Sequence, residues 1–315
     1  MQKKELQIIY VSHNKTEYPL LTGDFMNTNK YFVFLEVIDC GNLTKAAENL
    51  NYSQPAISNM IRSMEQEYGF PLLIRTSTRV IPTKEALKII PRIREIVYNE
   101  NAIREEVNRI NNIETGKISI ATYSSAISSF LPDVIHTFTE RHPSIEISLI
   151  EGNMKELDLA LKNRIADFAI VSRFDFPDYD FIPLVQDRLM AVLPSGHPLT
   201  KKDIVTPEEL FKYPIIAPDE DSDTDLRELS RLHNIEPDIK IRSNQDSSLL
   251  NLVASNIGVT VLSSLAVSQH DEAIETRPLE AYYNSRTVGV SAISTESLSP
   301  ACRDFIAILK NSVEL

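Results

Sequence analysis

The sequence predicts an α/β chain of about two domains, in which a small helical domain precedes a long helix and a larger strand-and-helix region. Three observations predict it. The 315 residues exceed what one core ordinarily organises. Residues 28–69 carry three short runs of helical period, each closed by turn residues. From Lys117 onward, short β-branched runs alternate with amphipathic helical runs for about 200 residues.

The composition narrows the function classes. Hydrophobic residues make up 43% and charged residues 24%, so the chain can bury real cores. Only eight glycines are present, which disfavours Gly-rich nucleotide loops. The two cysteines, Cys40 and Cys302, are far apart and fit a reduced, cytoplasmic compartment better than a disulfide framework. The six histidines are scattered without zinc-ligand spacing, so neither a metal nor a cofactor is expected. No run approaches the ~18 apolar residues of a membrane span. Residues 1–26 have no strong period and are expected to be an N-terminal extension, with Met26 as a second candidate start and a short docked strand as the alternative.

The formal net charge of -12 is unevenly spread. Residues 1–26 are neutral, residues 27–95 hold nine Lys/Arg against seven Asp/Glu, and residues 96–315 carry a net charge of -14. Phosphate attraction is screened within about 8–10 Å, so a nucleic-acid footprint is judged domain by domain. A domain of net +2 permits DNA binding without requiring it.

Along residues 28–39, Phe32, Leu35 and Ile38 suggest the inward face of a first helix, with Gly41 as its left-handed cap. Thr44 is the expected N-cap of a second helix, with Ala46, Ala47 and Leu50 inward. Ser53 caps a third, and Pro55 sits in its first turn, where the missing N–H does no harm. Ile57, Met60, Ile61, Met64 and Tyr68 make its apolar stripe. The opposite face carries Gln54, Pro55, Ser58, Asn59 and Arg62, which suits either a solvated surface or contact with DNA. "FPLLIRTSTRVIPT" then reads as a hairpin with Arg75 and Arg79 near its tip.

From Thr83 to about Asn112, Ile89, Ile93, Ile96, Glu100, Ile103, Val107 and Ile110 follow a heptad spacing. The seam serves a coiled-coil dimer or packs within the chain. Pro91 is expected to kink or loosen the helix. Eight strands follow, at 117–122, 145–151, 167–172, 188–194, 214–218, 239–243, 258–262 and 287–294, with helices between or after them. The alternation implies a parallel sheet covered on both faces and two similar lobes around a cleft.

The run Leu43-Thr44-Lys45-Ala46-Ala47, followed by Ser53-Gln54-Pro55-Ala56-Ile57-Ser58, resembles the winged helix-turn-helix of LysR-type transcriptional regulators. Tyr68-Gly69, Leu72-Leu73-Ile74-Arg75 and Pro82-Thr83-Lys84 continue the likeness in register, and the layout extends it over residues 27–315. The resemblance implies a winged helix-turn-helix at 27–84, a linker (dimerisation) helix at 85–114, and at 117–315 a two-lobed α/β effector domain like type 2 periplasmic-binding proteins. It implies base or phosphate contacts by Gln54, Pro55, Ser58, Asn59 and Arg62, phosphate contacts at the helix starts of Thr44 and Ser53, and backbone or minor-groove contacts by Arg75 and Arg79. It also implies double-stranded promoter DNA and RNA polymerase as partners, a homodimer through Ile89, Ile93, Ile96, Ile103 and Val107, and a homotetramer through the effector domains. Asn59 and Thr78 stand where family members commonly carry cations, and Arg79 where a Gly is frequent, so a shallow salt dependence is expected.

In such folds the ligand lies between lobes, near the C-terminal ends of strands and the starts of helices. That rule selects Tyr123, Ser124, Ser125, Asn153, Ser172, Asp246 and Ser247 for a small-molecule effector. Acidic residues at 219–223 suggest either a solvated helix start or a cleft wall hostile to carboxylates, whereas Ser124 and Ser125 favour an anion. The ligand's charge stays open. An enzyme lacks a nucleophile elbow, phosphate loop or metal cluster here. A transport protein would not carry residues 42–69, and a regulator that has lost its ligand reads the same as one that keeps it.

Overall fold

The structure is a computed structural model that describes residues 8–9, 28–76, 79–110, 115–220, 223–267, 273–281 and 284–313. The chain divides into two compact units, one built on the N-terminal helices and one on the C-terminal sheets. The expectations for residues 1–7, 10–26, Ser77 and Thr78 lie outside the described residues.

In the N-terminal unit, α1 (Asn29–Cys40) ends at Gly41, whose φ of 62° places it in the left-handed region. Its buried residues are Val33, Phe34, Leu35 and Val37, with Ile38 and Tyr31 packed at the margin, so the face lies on the Phe34 side of Leu35 rather than on Phe32. The α2 helix (Leu43–Asn49) starts earlier than its sequence suggests. Asn42, not Thr44, is its cap, and the Asn42 side chain accepts from the backbone N–H groups of Thr44 and Lys45. The α3 helix (Gln54–Tyr68) is capped by Ser53 and ends at Gly69 with φ 76°. Ile57, Ile61 and Met64 seat it on α1 and α2, with Met60 and Tyr68 packed at the margin. A two-stranded wing follows, β2 (Leu73–Arg75) against β3 (Val80–Pro82).

The α4 helix (Lys84–Ile110) runs unbroken through Pro91. Its heptad seam divides. Ile89 and Ile93 pack into the core of the N-terminal unit together with Ile90. Ile96, Ile103, Val107 and Ile110 are exposed, with Ile103 at 54% and Ile110 at 72%. The first part of the seam is therefore spent within the chain, and its later part is left bare.

The C-terminal unit begins with a two-residue strand, β1 (Ile8–Ile9), paired to the edge of β5. It continues with β4 (Gly116–Thr122), the single turn α5 (Ser124–Ile127), α6 (Leu131–Arg141), β5 (Ile145–Glu151), α7 (Met154–Lys162) and β6 (Phe168–Ser172). The long β7 (Asp180–Pro194), the turn α8 (Pro207–Leu210), β8 (Ile215–Pro218), α9 (Thr224–His233), β9 (Ile239–Ser243) and α10 (Asp246–Ala254) come next. The unit closes with β10 (Thr260–Ser263), β11 (Ile274–Pro278), β12 (Ser285–Ala292) and α11 (Pro300–Ser312).

The sheet order is β1-β5-β4-β6-β12-β7-β10, with β11 also on β7. Only β4–β5, β4–β6 and β8–β9 are parallel among these strands. The strands β12, β10 and β11 pair antiparallel, so the expected all-parallel sheet is a mixed one. The cause is β7. Its first half pairs with β12 in one lobe, and its second half pairs with β10 and β11 in the other. β7 thus carries the chain from one lobe to the other, and β12 runs beside its first half. Where they run together the register shifts between Val288 and Gly289, and a Cβ on Gly289 would collide with the Ile182 carbonyl oxygen. Only glycine fits that approach. Phe138, Phe168 and Phe305 anchor the first lobe's core. Leu189, Leu193 and Leu229 belong to one cluster of the second lobe, and Val192 and Leu249 to another.

Candidate functional site

The α3 helix offers one polar face. Pro55, Asn59 and Arg62, spaced four and three apart, are all exposed, while Gln54 and Ser58 beside them are half-buried. Two contacts fix the wing to this helix. The carboxylate of Glu65 accepts from the backbone N–H groups of Leu72 (2.8 Å) and Leu73 (3.3 Å). The guanidinium of Arg75, on β2, donates to the Ser58 hydroxyl at 3.1 Å. Glu65 is not among the residues the sequence marks out, because a glutamate on a helix reads as a solvated charge. Arg79 is exposed, and its backbone pairs with Thr76 to close the hairpin. Thr44 departs from expectation. Its N–H is engaged by the Asn42 side chain at 2.8 Å, so it is not available to a phosphate.

The second site lies where the two lobes of the C-terminal unit meet. Tyr123 and Ser124 follow β4, Asp175 ends a single turn after β6, Asp225 opens α9, Asp246 opens α10, and Arg286 lies on β12. The Ser124 hydroxyl donates to Asp246 at 2.9 Å, and this bond ties the first lobe to the second. The Tyr123 hydroxyl donates to Asp175 at 2.9 Å. Arg286 stands directly opposite Asp187 in the β12–β7 ladder. Its Nε donates to Asp187 at 3.2 Å and its Nη1 to Asp225 at 2.9 Å. Asp187 is fully buried, and its other oxygen accepts from the Ser264 hydroxyl and the Leu265 N–H.

Electrostatics follow from this packing. Burial works against the Arg286 charge, but Asp225, Asp187 and Asp175 outweigh it and hold the guanidinium's pKa above its ordinary value. Burial raises Asp175, against the opposing pull of the Tyr123 hydrogen bond and Arg286. Burial likewise raises Asp246, against Ser124 and Arg286. Glu151, at the end of β5, is raised by burial and then by Asp246. Tyr123 is raised by burial and then by Asp175.

The sequence-selected effector residues therefore separate. Tyr123, Ser124 and Asp246 join this network. Ser172 is buried and supports Asp175 through a backbone hydrogen bond. Ser125 is buried within α5, and its carbonyl accepts from the Ser129 hydroxyl. Asn153 caps the start of α7, exchanging hydrogen bonds with Glu156, so its side chain is already used. Ser247 is exposed. Asp223, from the acidic run, is buried and paired with Arg242 at 2.8 Å rather than solvated, and Asp221 and Ser222 lie outside the described residues. The network's centre, Arg286 with Asp187 and Asp225, is absent from the sequence selection.

Residues 111–314 match the LysR substrate binding domain, and residues 28–87 match the bacterial regulatory helix-turn-helix protein, lysR family. The chain belongs to the LysR family. It is a LysR-type transcriptional regulator, with a helix-turn-helix DNA-binding domain and an effector-binding domain. A curated relative, the HTH-type transcriptional regulator YbhD of Escherichia coli, is 29% identical over 292 residues, 91% of each chain. A full-length OxyR variant from Pseudomonas aeruginosa shares the fold with a TM-score of 0.74 at 23% identity, over 91% of this chain and 94% of that one. CbnR in complex with its target DNA shares it with a TM-score of 0.64 at 17% identity, over 91% of this chain and all of that one. The relatives are transcriptional regulators rather than enzymes. Among the described residues of this LysR-family chain, no helix is long and apolar enough to cross a membrane.

Proposed function

We propose that this LysR-family regulator works in the cytoplasm, reads promoter DNA through the exposed face of α3, and responds to a small molecule held between the lobes of its C-terminal unit. The observation that carries the first part is the joined surface of recognition helix and wing. Asn59 and Arg62 face outward from α3, and Arg75 reaches from the wing to Ser58 on the same side. A helix so presented enters the major groove, where Gln54, Pro55 and Ser58 at its start approach base edges. Asn59, Arg62, Arg75 and Arg79 supply base or phosphate contacts, and the start of α3 at Ser53 faces the backbone. The complex of CbnR with its target DNA supports this for a protein of the same fold.

The second part rests on the Ser124–Asp246 bond. It joins the lobes at the place where a ligand would lie. A ligand that competes for either partner changes the lobes' relative position, and so shifts the population of assemblies on DNA. The bare seam of Ile96, Ile103 and Val107 makes the dimer, since an exposed apolar stripe at heptad spacing is stabilised by a second copy. Effector-domain pairing to a tetramer and contact with RNA polymerase complete the reading.

Mapping of the chain's binding sites across its own genome tests the proposal. Discrete sites upstream of genes, lost in the Gln54→Ala, Ser58→Ala variant, are expected. Uniform, sequence-independent recovery of DNA would overturn it.

A further inference from the structure

Resting on the reading of α3 as the helix that enters the major groove, we infer that Arg75 is a positioning residue for Ser58. It turns the Ser58 hydroxyl into a donor toward the bases, so that Ser58 selects an acceptor on a base edge and disfavours cytosine.

The wing delivers Arg75 to a fixed place. Glu65 ties the start of β2 to α3 through the N–H groups of Leu72 and Leu73. The Val80 N–H donates to the Gly41 carbonyl at 2.7 Å, which ties β3 to the end of α1. From this frame Nη2 of Arg75 reaches Oγ of Ser58 at 3.1 Å. Among the described residues Arg75 has no carboxylate partner, so its charge acts undiminished on the hydroxyl it touches.

That bond sets the direction of the hydroxyl. A serine hydroxyl has one hydrogen to give and two lone pairs, whereas a guanidinium only gives. Ser58 therefore accepts from Arg75, and its own hydrogen must go elsewhere. Hydroxyls on helices commonly give that hydrogen to a carbonyl one turn back. Thr137 and Thr139 on α6 and Ser312 on α11 do so in this chain. Among the described residues Ser58 makes no such bond. The charged donor also polarises the hydroxyl, which strengthens it as a donor and weakens its remaining lone pair as an acceptor. Ser58 lies half-buried between the exposed Pro55 and Arg62, at the rim of the face that α3 presents.

In the major groove guanine offers N7 and O6 as acceptors, adenine N7 and thymine O4, while cytosine offers only its amino donor. The Ser58 hydroxyl bonds to the first three. It meets cytosine donor to donor, with the positive charge of Arg75 behind it. The other N–H groups of Arg75 stay available to a phosphate.

Binding-site selection with the full chain, followed by titration of the selected site and its single-base variants, tests the inference. Wild type, Ser58→Ala, Arg75→Met and the double variant are compared. Wild type is expected to disfavour cytosine by about tenfold at one position of each half-site. Ser58→Ala should level that position. Arg75→Met should level the same position, weaken all sequences alike and lower the salt slope by about one. The double variant should be no less selective there than either single one, a coupling that a wing acting independently of Ser58 would not show. Arg75 is exposed, so Arg75→Met should still melt cooperatively. If Arg75→Met lowers every affinity but leaves the Ser58 position selective, or if cytosine is preferred there, the inference falls and α3 remains the reading helix. If Ser58→Ala changes no position the inference also falls, and if Gln54→Ala changes none either, so does the reading it rests on.

Discussion

Replacing Arg286 by Met removes the guanidinium that pairs with Asp187 and Asp225 at the lobe junction while keeping most of the side chain's volume. Arg286 is 13% exposed at its side chain and Asp187 is 0% exposed, so the variant leaves a carboxylate with no counter-charge and little water. Breaking a buried pair by removing one partner costs about 3–5 kcal/mol. Asp187 keeps the Ser264 hydroxyl and the Leu265 N–H, which places the expected loss near the lower end, about 3 kcal/mol. For a domain near 200 residues, ~1 kcal/mol moves the melting temperature by about 2–4 °C, so the transition should fall by roughly 6–12 °C. Scanning calorimetry of the full chain reads it as a shift of the C-terminal transition alone. Adding Asp187→Asn should recover part of the loss, since the orphaned charge is then gone. A loss below about 1 kcal/mol, or a double variant that loses the sum of the two single ones, would refute the view that this pair is a desolvated unit.

The divided seam makes a contrast between neighbours on α4. Ile96→Asp with Ile103→Asp should lower the assembly mass by light scattering with the N-terminal unit still folded, whereas Ile93→Asp should unfold that unit, because Ile93 is buried in its core. Glu65→Ala should free the N–H groups of Leu72 and Leu73 at a cost of about 1.5–3 kcal/mol, and should raise amide exchange in β2 and β3 before it alters α1. Asp246 has its folded pKa raised above the ordinary carboxylate value of 3.8, so its ionisation opposes folding at high pH and ceases to do so as pH falls toward that value. The melting advantage of Asp246→Asn over wild type should therefore be largest near pH 8 and shrink on acidification; an advantage that grows on acidification would contradict the burial argument.

Much of the architecture is legible in the sequence because its signals are local. The stripe from Ile57 to Tyr68 and the caps Ser53 and Gly69 define α3 within fifteen residues. Errors arise where neighbours offer equal signals. Asn42 and Thr44 are both good caps, and the α1 sequence is apolar on so many sides that period alone cannot choose Phe34 over Phe32. The sheet's mixed direction is hidden because alternation of strands and helices says nothing of β7 changing partners halfway along its fifteen residues. Arg286 is invisible for a related reason. Its partners are 99 and 61 residues away in sequence, and a lone arginine on a strand reads as surface until the ladder puts Asp187 opposite it. Tyr123, Ser124 and Asp246 are found because strand ends and helix starts can be read from sequence.

Selection of random-sequence duplex DNA by the purified full chain tests the central claim most directly. The wild type should enrich a two-fold symmetric site whose half-sites are spaced by whole turns of DNA, about 10 base pairs or a multiple. The Gln54→Ala, Ser58→Ala variant loses the Arg75–Ser58 hydrogen bond, so it should still melt cooperatively within a few degrees of wild type, and it should enrich no sequence. Equal enrichment by both proteins, or by neither, would contradict the assignment of α3 as the element that reads DNA.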